Sequence, residues 1–179
     1  ITVRIIDLST RDLLEALEKH SVDLVIDSSP IDTIYNKPYA ACRHTHPSIE
    51  AAMQIRKKKG FNIEEIESIQ VNTYQLAVNG HDHTIIEGIN SAKMSIPYSL
   101  AVALVTGNAG LDEFTEKFVT NPEILNITSK ISVKDVDELT ALCPQKRIAE
   151  VRVITKSGLE FKSRIEYPKG EPENPLTQE

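Results

Sequence analysis

The sequence has no Trp, and aromatic residues make up only 5% of it. With a net charge of −6, this argues against a nucleic-acid surface, which needs basic and stacking side chains. No apolar run approaches the roughly 18 residues that a membrane-spanning helix requires. The longest, around "SLAVALVTG" at 99 to 107, has the length of a buried helix. The opening "ITVRIIDLSTRD" lacks the basic leader and apolar stretch of a signal peptide. It also lacks an initiator Met, so Ile1 is read as other than a natural start. Cysteine is scarce: Cys42 and Cys143 stand far apart with no CxxC. They read as free thiols in a reducing, cytoplasmic setting rather than as a disulfide. The glycine-rich dinucleotide fingerprint, the P-loop and the GxSxG elbow are all absent, and there is no internal repeat.

What is there suits a soluble domain with a real core. The 179 residues are 40% hydrophobic and 26% charged, enough for one domain, or for one large and one very small. Strands are expected at 2 to 6 and 22 to 27, with a helix at 9 to 20 capped by Ser9; "SSP" at 28 to 30 is a break, and 31 to 36 is extended. The spacing predicts a helix over 47 to 60, with Pro47 in its first turn, Ile49, Ala52 and Met53 on one face, Arg56 to Lys59 in its last turn and Gly60 as its stop. Alternation predicts a strand over 66 to 78, with Ile69, Val71 and Thr73 opposite Gln70, Asn72 and Tyr74. The loop "NGHDHT" follows at 79 to 84. An apolar helix ends at Gly107 with Pro97 near its start. Two short helices follow at 111 to 119 and 121 to 131, the second opened by Asn121 and Pro122. A β-hairpin over 147 to 167 turns at Ser157 and Gly158. The Pro-rich end from 168 reads as a polar tail outside the core. This order gives an α+β fold, with a largely antiparallel sheet and helices packed on one side.

One stretch concentrates charge. From Lys37 to Lys59 there are six basic residues against one acid, Glu50, so this segment carries +5 within an acidic chain. Its front part, "KPYAACRHTHP" at 37 to 47, precedes a helix N-terminus whose free amides and dipole also favour an anion. Arg43 offers a carboxylate a two-pronged fork. His44 and His46 exchange protons near neutral pH. A Lys, an Arg, two His and a helix start together suit a small carboxylate that undergoes proton transfer. The same residues also admit plain structural roles: His46 bonding the loop or capping the helix, Lys37 solvated, Arg43 paired with a carboxylate elsewhere in the fold.

A metal site competes with this reading. His44 and His46, and His81 and His83, are two HxH pairs, and residues two apart on a strand share a face. Both pairs fall in expected loops, however, and Lys37 and Arg43 would repel a cation, so no metal ligand is assigned. His81 and His83 are then loop residues lining the same cleft, and His20 is the polar end of the first helix.

The segment "KPYAACRHTHPSIEAAMQI" closely resembles the signature of the MmgE/PrpD family, which includes 2-methylcitrate dehydratases, cis-aconitate decarboxylases and iminodisuccinate epimerases. The matched pattern is Lys37, Tyr39, His46, Pro47, Ile49, Glu50 and Ala51. "SAKMSIPYSLAVALVTGNAGLDEF" at 91 to 114 and the closing "NPL" at 174 to 176 are similar in the same order. The resemblance implies a longer protein, with a large helical domain and a smaller α+β lid. This chain is similar to the lid alone: 1 to 30 match poorly, 31 to 169 are lid-like, and 170 to 179 are a tail or truncated linker to a helical domain.

The resemblance further implies chemistry beside a carboxylate with no metal or organic cofactor. His46 matches the family's active-site His and is expected as acid/base. Lys37 matches its Lys and would hold a carboxylate or assist proton transfer. Arg43 and His44 are expected anion contacts on their own chemistry. Lys93 and Ser95, at the start of a matched helix, are added as substrate-binding. The expected partners are a small di- or tricarboxylate, the helical domain of the same or a partner chain, and a second copy in a homodimer, but neither nucleic acid nor membrane. A domain lacking its helical half would be inert. The rival class is a non-catalytic carboxylate-binding or interaction module with the same fold.

Overall fold

Residues 36 to 176 are described by the structure, a computed structural model. The expected strands at 2 to 6 and 22 to 27, the helix at 9 to 20 and the segment at 28 to 35 lie outside the described residues. In chain order the elements are α1 (His46–Arg56), β1 (Ile66–Thr73), α2 (Gln75–Val78), α3 (Ile89–Met94), α4 (Ile96–Thr106), α5 (Glu116–Val119), α6 (Pro122–Thr128), β2 (Ile131–Asp135), α7 (Asp137–Thr140), β3 (Ala149–Thr155) and β4 (Glu160–Ile165). Single 3-10 turns sit at Arg43–Thr45, Ile63–Glu65 and Asp112–Phe114.

The period-two pattern of β1 puts Ile69, Val71 and Thr73 inside. Val151 and Val153 of β3, and Ser163 and Ile165 of β4, join them on the buried face. The order is β2-β1-β3-β4. β3 runs antiparallel to both β1 and β4, in registers that set Val71 beside Val151 and Val151 beside Ser163. β2 runs parallel to β1, with Ile69 beside Ile131. The fold is therefore α+β with a mostly antiparallel, open sheet. The other face carries Gln70, Asn72, Glu150, Arg152, Lys162 and Arg164, which line an open trough. There Arg152 and Lys162 pair with Glu160, and Arg164 pairs with Glu150.

α1 packs on β3, β4 and α4, and α4 packs in turn on α6. This position between two helices explains why α4 is apolar nearly all round: Ile96 to Leu104 are all buried, with Ser99 the one small polar residue among them, so no face of the helix needs polar cover. Ser95 accepts the Tyr98 amide as its N-cap, Pro97 sits in the first turn, and Gly107 at φ +83° ends it in the left-handed region. Asn121 caps α6 by accepting the amides of Glu123 and Ile124 at 2.9 and 3.3 Å.

Several expectations are corrected. α1 stops at Arg56, leaving Lys57, Lys58 and Lys59 beyond it, because the chain closes there into tighter turns, the Lys58 amide donating to the Ile55 carbonyl and the Phe61 amide to the Lys58 carbonyl; the Arg56 guanidinium donates to the Leu104 carbonyl at the end of α4. β1 stops at Thr73: the Tyr74 carbonyl accepts the Ala77 amide and opens the turn α2, and Tyr74 is buried rather than facing outward. The helix expected over 111 to 119 is broken at Thr115, which is extended and whose hydroxyl bonds the Asp112 carbonyl. β2 was not expected at all. The polar tail begins inside the fold: Gly170 and Glu171 are buried. Gly170 has φ +92°, and a Cβ there would lie 1.8 Å from the Asn36 carbonyl oxygen, so only glycine fits. Its own carbonyl accepts the Asn36 amide at 3.1 Å.

Candidate functional site

The loop from 37 to 45 is held by main-chain bonds on two sides. The Ala40 amide donates to Ala109 at 3.0 Å and the Cys42 amide to Lys93 at 2.8 Å. Thr45 turns the chain into α1 by donating both its amide and its hydroxyl to the Cys42 carbonyl. The loop thereby forms one wall of an open groove of about 710 Å³, lined among others by Lys37, Tyr39, Cys42, Lys93, Met94 and Leu111. Two cations from distant segments, Lys37 and Lys93, thus face one space.

His46 stands behind this wall. It is fully buried, its Nε2 bonds the Ala41 carbonyl at 3.2 Å, and its ring meets Tyr39 edge-on at 5.1 Å. Burial pulls the imidazole down to about 4; the charges of Lys37, Arg43 and His44 act the same way, and the bond to the Ala41 carbonyl opposes them. The ring is therefore neutral at pH 7. Tyr39 in turn bonds Glu50, which also accepts the Lys169 amide. Burial pushes the Glu50 carboxyl up against both donors, which favour its ionised form.

The remaining sequence-predicted residues divide. Arg43 gives its fork to Glu171, with Nε to Oε1 at 3.1 Å, the structural alternative noted for it above. His44 Nδ1 bonds the Tyr74 hydroxyl at 2.7 Å. Ser95 is fully buried: its hydroxyl donates to the His83 carbonyl at 2.6 Å while capping α4. Lys37 and Lys93 reach the groove, whereas His46 touches two residues of its wall, Tyr39 and Ala41.

The two HxH pairs meet only through His44 and His81, whose rings lie 5.2 Å apart. His44 and His46 lie in a helical turn, where residues two apart point to different sides. His83 bonds Ser91. Among the described residues no group of three or more His, Cys, Asp or Glu is placed to hold a metal ion. Both cysteines are free thiols.

One pairing was missed. Cys42 Sγ lies 3.4 Å from His81 Nε2, and His81 Nδ1 bonds the Asn79 carbonyl at 2.9 Å. Burial works to raise the Cys42 thiol, but the His81 bond, the His44 amide and nearby positive charge outweigh it and hold the thiol below its ordinary value. The Cys42 bond chiefly raises His81. The only sequence signal was that Cys42 belongs to the basic stretch and His81 to a loop expected at the same cleft.

The sequence profile of the MmgE/PrpD C-terminal domain matches residues 39 to 179. The chain is also 27% identical over 113 residues to a protein of Saccharomyces cerevisiae described as a probable 2-methylcitrate dehydratase. That match covers 61% of this chain, which spans about a fifth (22%) of the relative's length. Among the described residues no helix is long and apolar enough to cross a membrane.

Proposed function

The chain belongs to the MmgE/PrpD family as its C-terminal domain, and from that premise we propose that it forms one wall of a lyase or isomerase site that removes a proton beside a carboxylate of a small di- or tricarboxylate. A reaction like that of 2-methylcitrate dehydratase is the leading form, since the yeast relative carries that description. The observation that carries the reading is the shared groove of Lys37 and Lys93. Two ammonium groups in one space suit a substrate with more than one carboxylate and stabilise the negative charge that grows when a neighbouring proton leaves. His46 supplies the base. It is neutral at working pH, and with Nε2–H donating to Ala41 the proton-accepting nitrogen is Nδ1. The groove is open, and the opposite wall with its complementary groups comes from a helical domain of the same or a partner chain.

One observation favours the rival module that binds carboxylates without chemistry: His46 is sealed behind Tyr39 and Ala41. The test uses the intact protein in D2O with 2-methylcitrate, cis-aconitate and an α-amino dicarboxylate, followed by proton NMR. Product formation or deuterium uptake by the wild type, lost about 100-fold in His46→Gln, supports the base. Lys37→Gln and Lys93→Gln should raise KM about 10-fold each. Binding without exchange or product would favour the module. Full activity in His46→Gln would remove His46 from the chemistry.

A further inference from the structure

We propose that Cys42 and His81 form a nucleophilic pair that makes Cys42 a site of covalent modification by small, carboxylate-bearing electrophiles. The geometry fixes the roles. A carbonyl can only accept, so His81 Nδ1, 2.9 Å from the Asn79 oxygen, carries the ring hydrogen. The lone pair is then on Nε2, which faces Cys42 Sγ at 3.4 Å. A thiol, a base and a third group that orients the base are the parts of an activated cysteine.

The pair is held from behind. The His44 ring meets His81 at 5.2 Å and is itself tied to the Tyr74 hydroxyl. His81 is 8% exposed, whereas Cys42 opens onto the groove. Lys37 and Lys93 line that groove, so the field at the sulfur favours the thiolate and draws in anions. The groups to weigh in any titration of the pair are His44, Tyr74, Lys37, Lys93 and Asp82, whose charge favours a protonated His81. Cys143 is an internal control: burial pushes its thiol up, and Arg147 opposes this only partly.

With iodoacetate as probe, the thiol proton moves to His81 Nε2 and the sulfur attacks the CH2 carbon. An S–C bond forms as the C–I bond breaks, iodide departs with the electron pair, and the imidazolium later loses its proton to water. Alkylation is followed without turnover, so its outcome does not depend on the lyase chemistry.

The experiment treats the intact protein with iodoacetate or iodoacetamide between pH 5.5 and 9 and follows the Cys42 and Cys143 peptides separately by mass spectrometry. At pH 7 Cys42 should react about 10-fold faster than Cys143, and its rate should level off at a pH below that of an ordinary thiol. His81→Gln should remove most of that advantage. Relative to the same protein in urea, the folded protein should favour iodoacetate over iodoacetamide at Cys42, less so in Lys37→Gln/Lys93→Gln. The pH profile of the unaltered protein tests the pair even where the His81 variant does not fold. A Cys42 that reacts no faster than Cys143, or a Cys42 profile like that of a free thiol, would overturn the proposal.

Discussion

Arg43 and Glu171 meet in a two-point ion pair, with Nε to Oε1 at 3.1 Å and Nη2 to Oε2 at 2.5 Å. Their side chains are only 14% and 8% exposed. The pair fastens the segment after the hairpin to the loop that leads into α1. Removing one partner of a buried pair leaves an uncompensated charge and costs about 3–5 kcal/mol. Glu171→Leu should therefore destabilise strongly. Joining it with Arg43→Leu should recover a large part of the loss, as the second change removes the charge that Glu171 balances. Denaturant titration of the single and double variants checks this; additive losses would mean that the two groups are not coupled.

Gly170 should tolerate no side chain. Gly170→Ala adds the strain of a positive φ to a clash with the Asn36 carbonyl, a loss of about 2 kcal/mol or more. It should also free the Asn36 amide, which hydrogen exchange would register as lost protection.

His46 should make the fold acid-sensitive. Its folded value, about 4, lies below the ordinary 6.5, so between these two the unfolded chain binds a proton that the folded chain refuses. The contribution is whole above 6.5, is lost as pH falls from 6.5 to about 4, and then levels off. It amounts to about 3 kcal/mol. Urea midpoints at pH 7 and 4.5 should differ more in the wild type than in His46→Gln, which does not titrate there. Equal differences would place the acid sensitivity elsewhere.

Ser95 separates a cap from a substrate contact. Ser95→Ala loses both the Tyr98 amide bond and the bond to His83, which should lower stability by about 1–2 kcal/mol. A change confined to KM, with stability unmoved, would return Ser95 to the substrate.

Elements with strong local patterns were legible in the sequence. α4 announces itself by its length, its Pro and its Gly107 stop, and the hairpin by alternation around Gly158. β2 gave little signal, because it is five residues long at a sheet edge and buries only Ile131. Tyr74 continued an alternation that the chain abandons one residue earlier, since burial there comes from α2 turning inward. The end of the chain looked like a linker because Pro, Gly and Glu are common in linkers; its burial rests on Arg43, a partner 128 residues away. At the site, the residue types of the basic stretch were readable but not their partners. Arg43 could not be told apart as anion clamp or staple, nor Cys42 matched to His81 across 39 residues, because those meetings are made by the sheet and by α4 rather than by local sequence.

The bond between the Asn36 amide and the Gly170 carbonyl ties the chain just ahead of the basic loop to the segment that follows the hairpin. With the Arg43–Glu171 pair it makes a clasp on both sides of Lys37, so the position of one groove cation depends on a segment that does not itself line the groove.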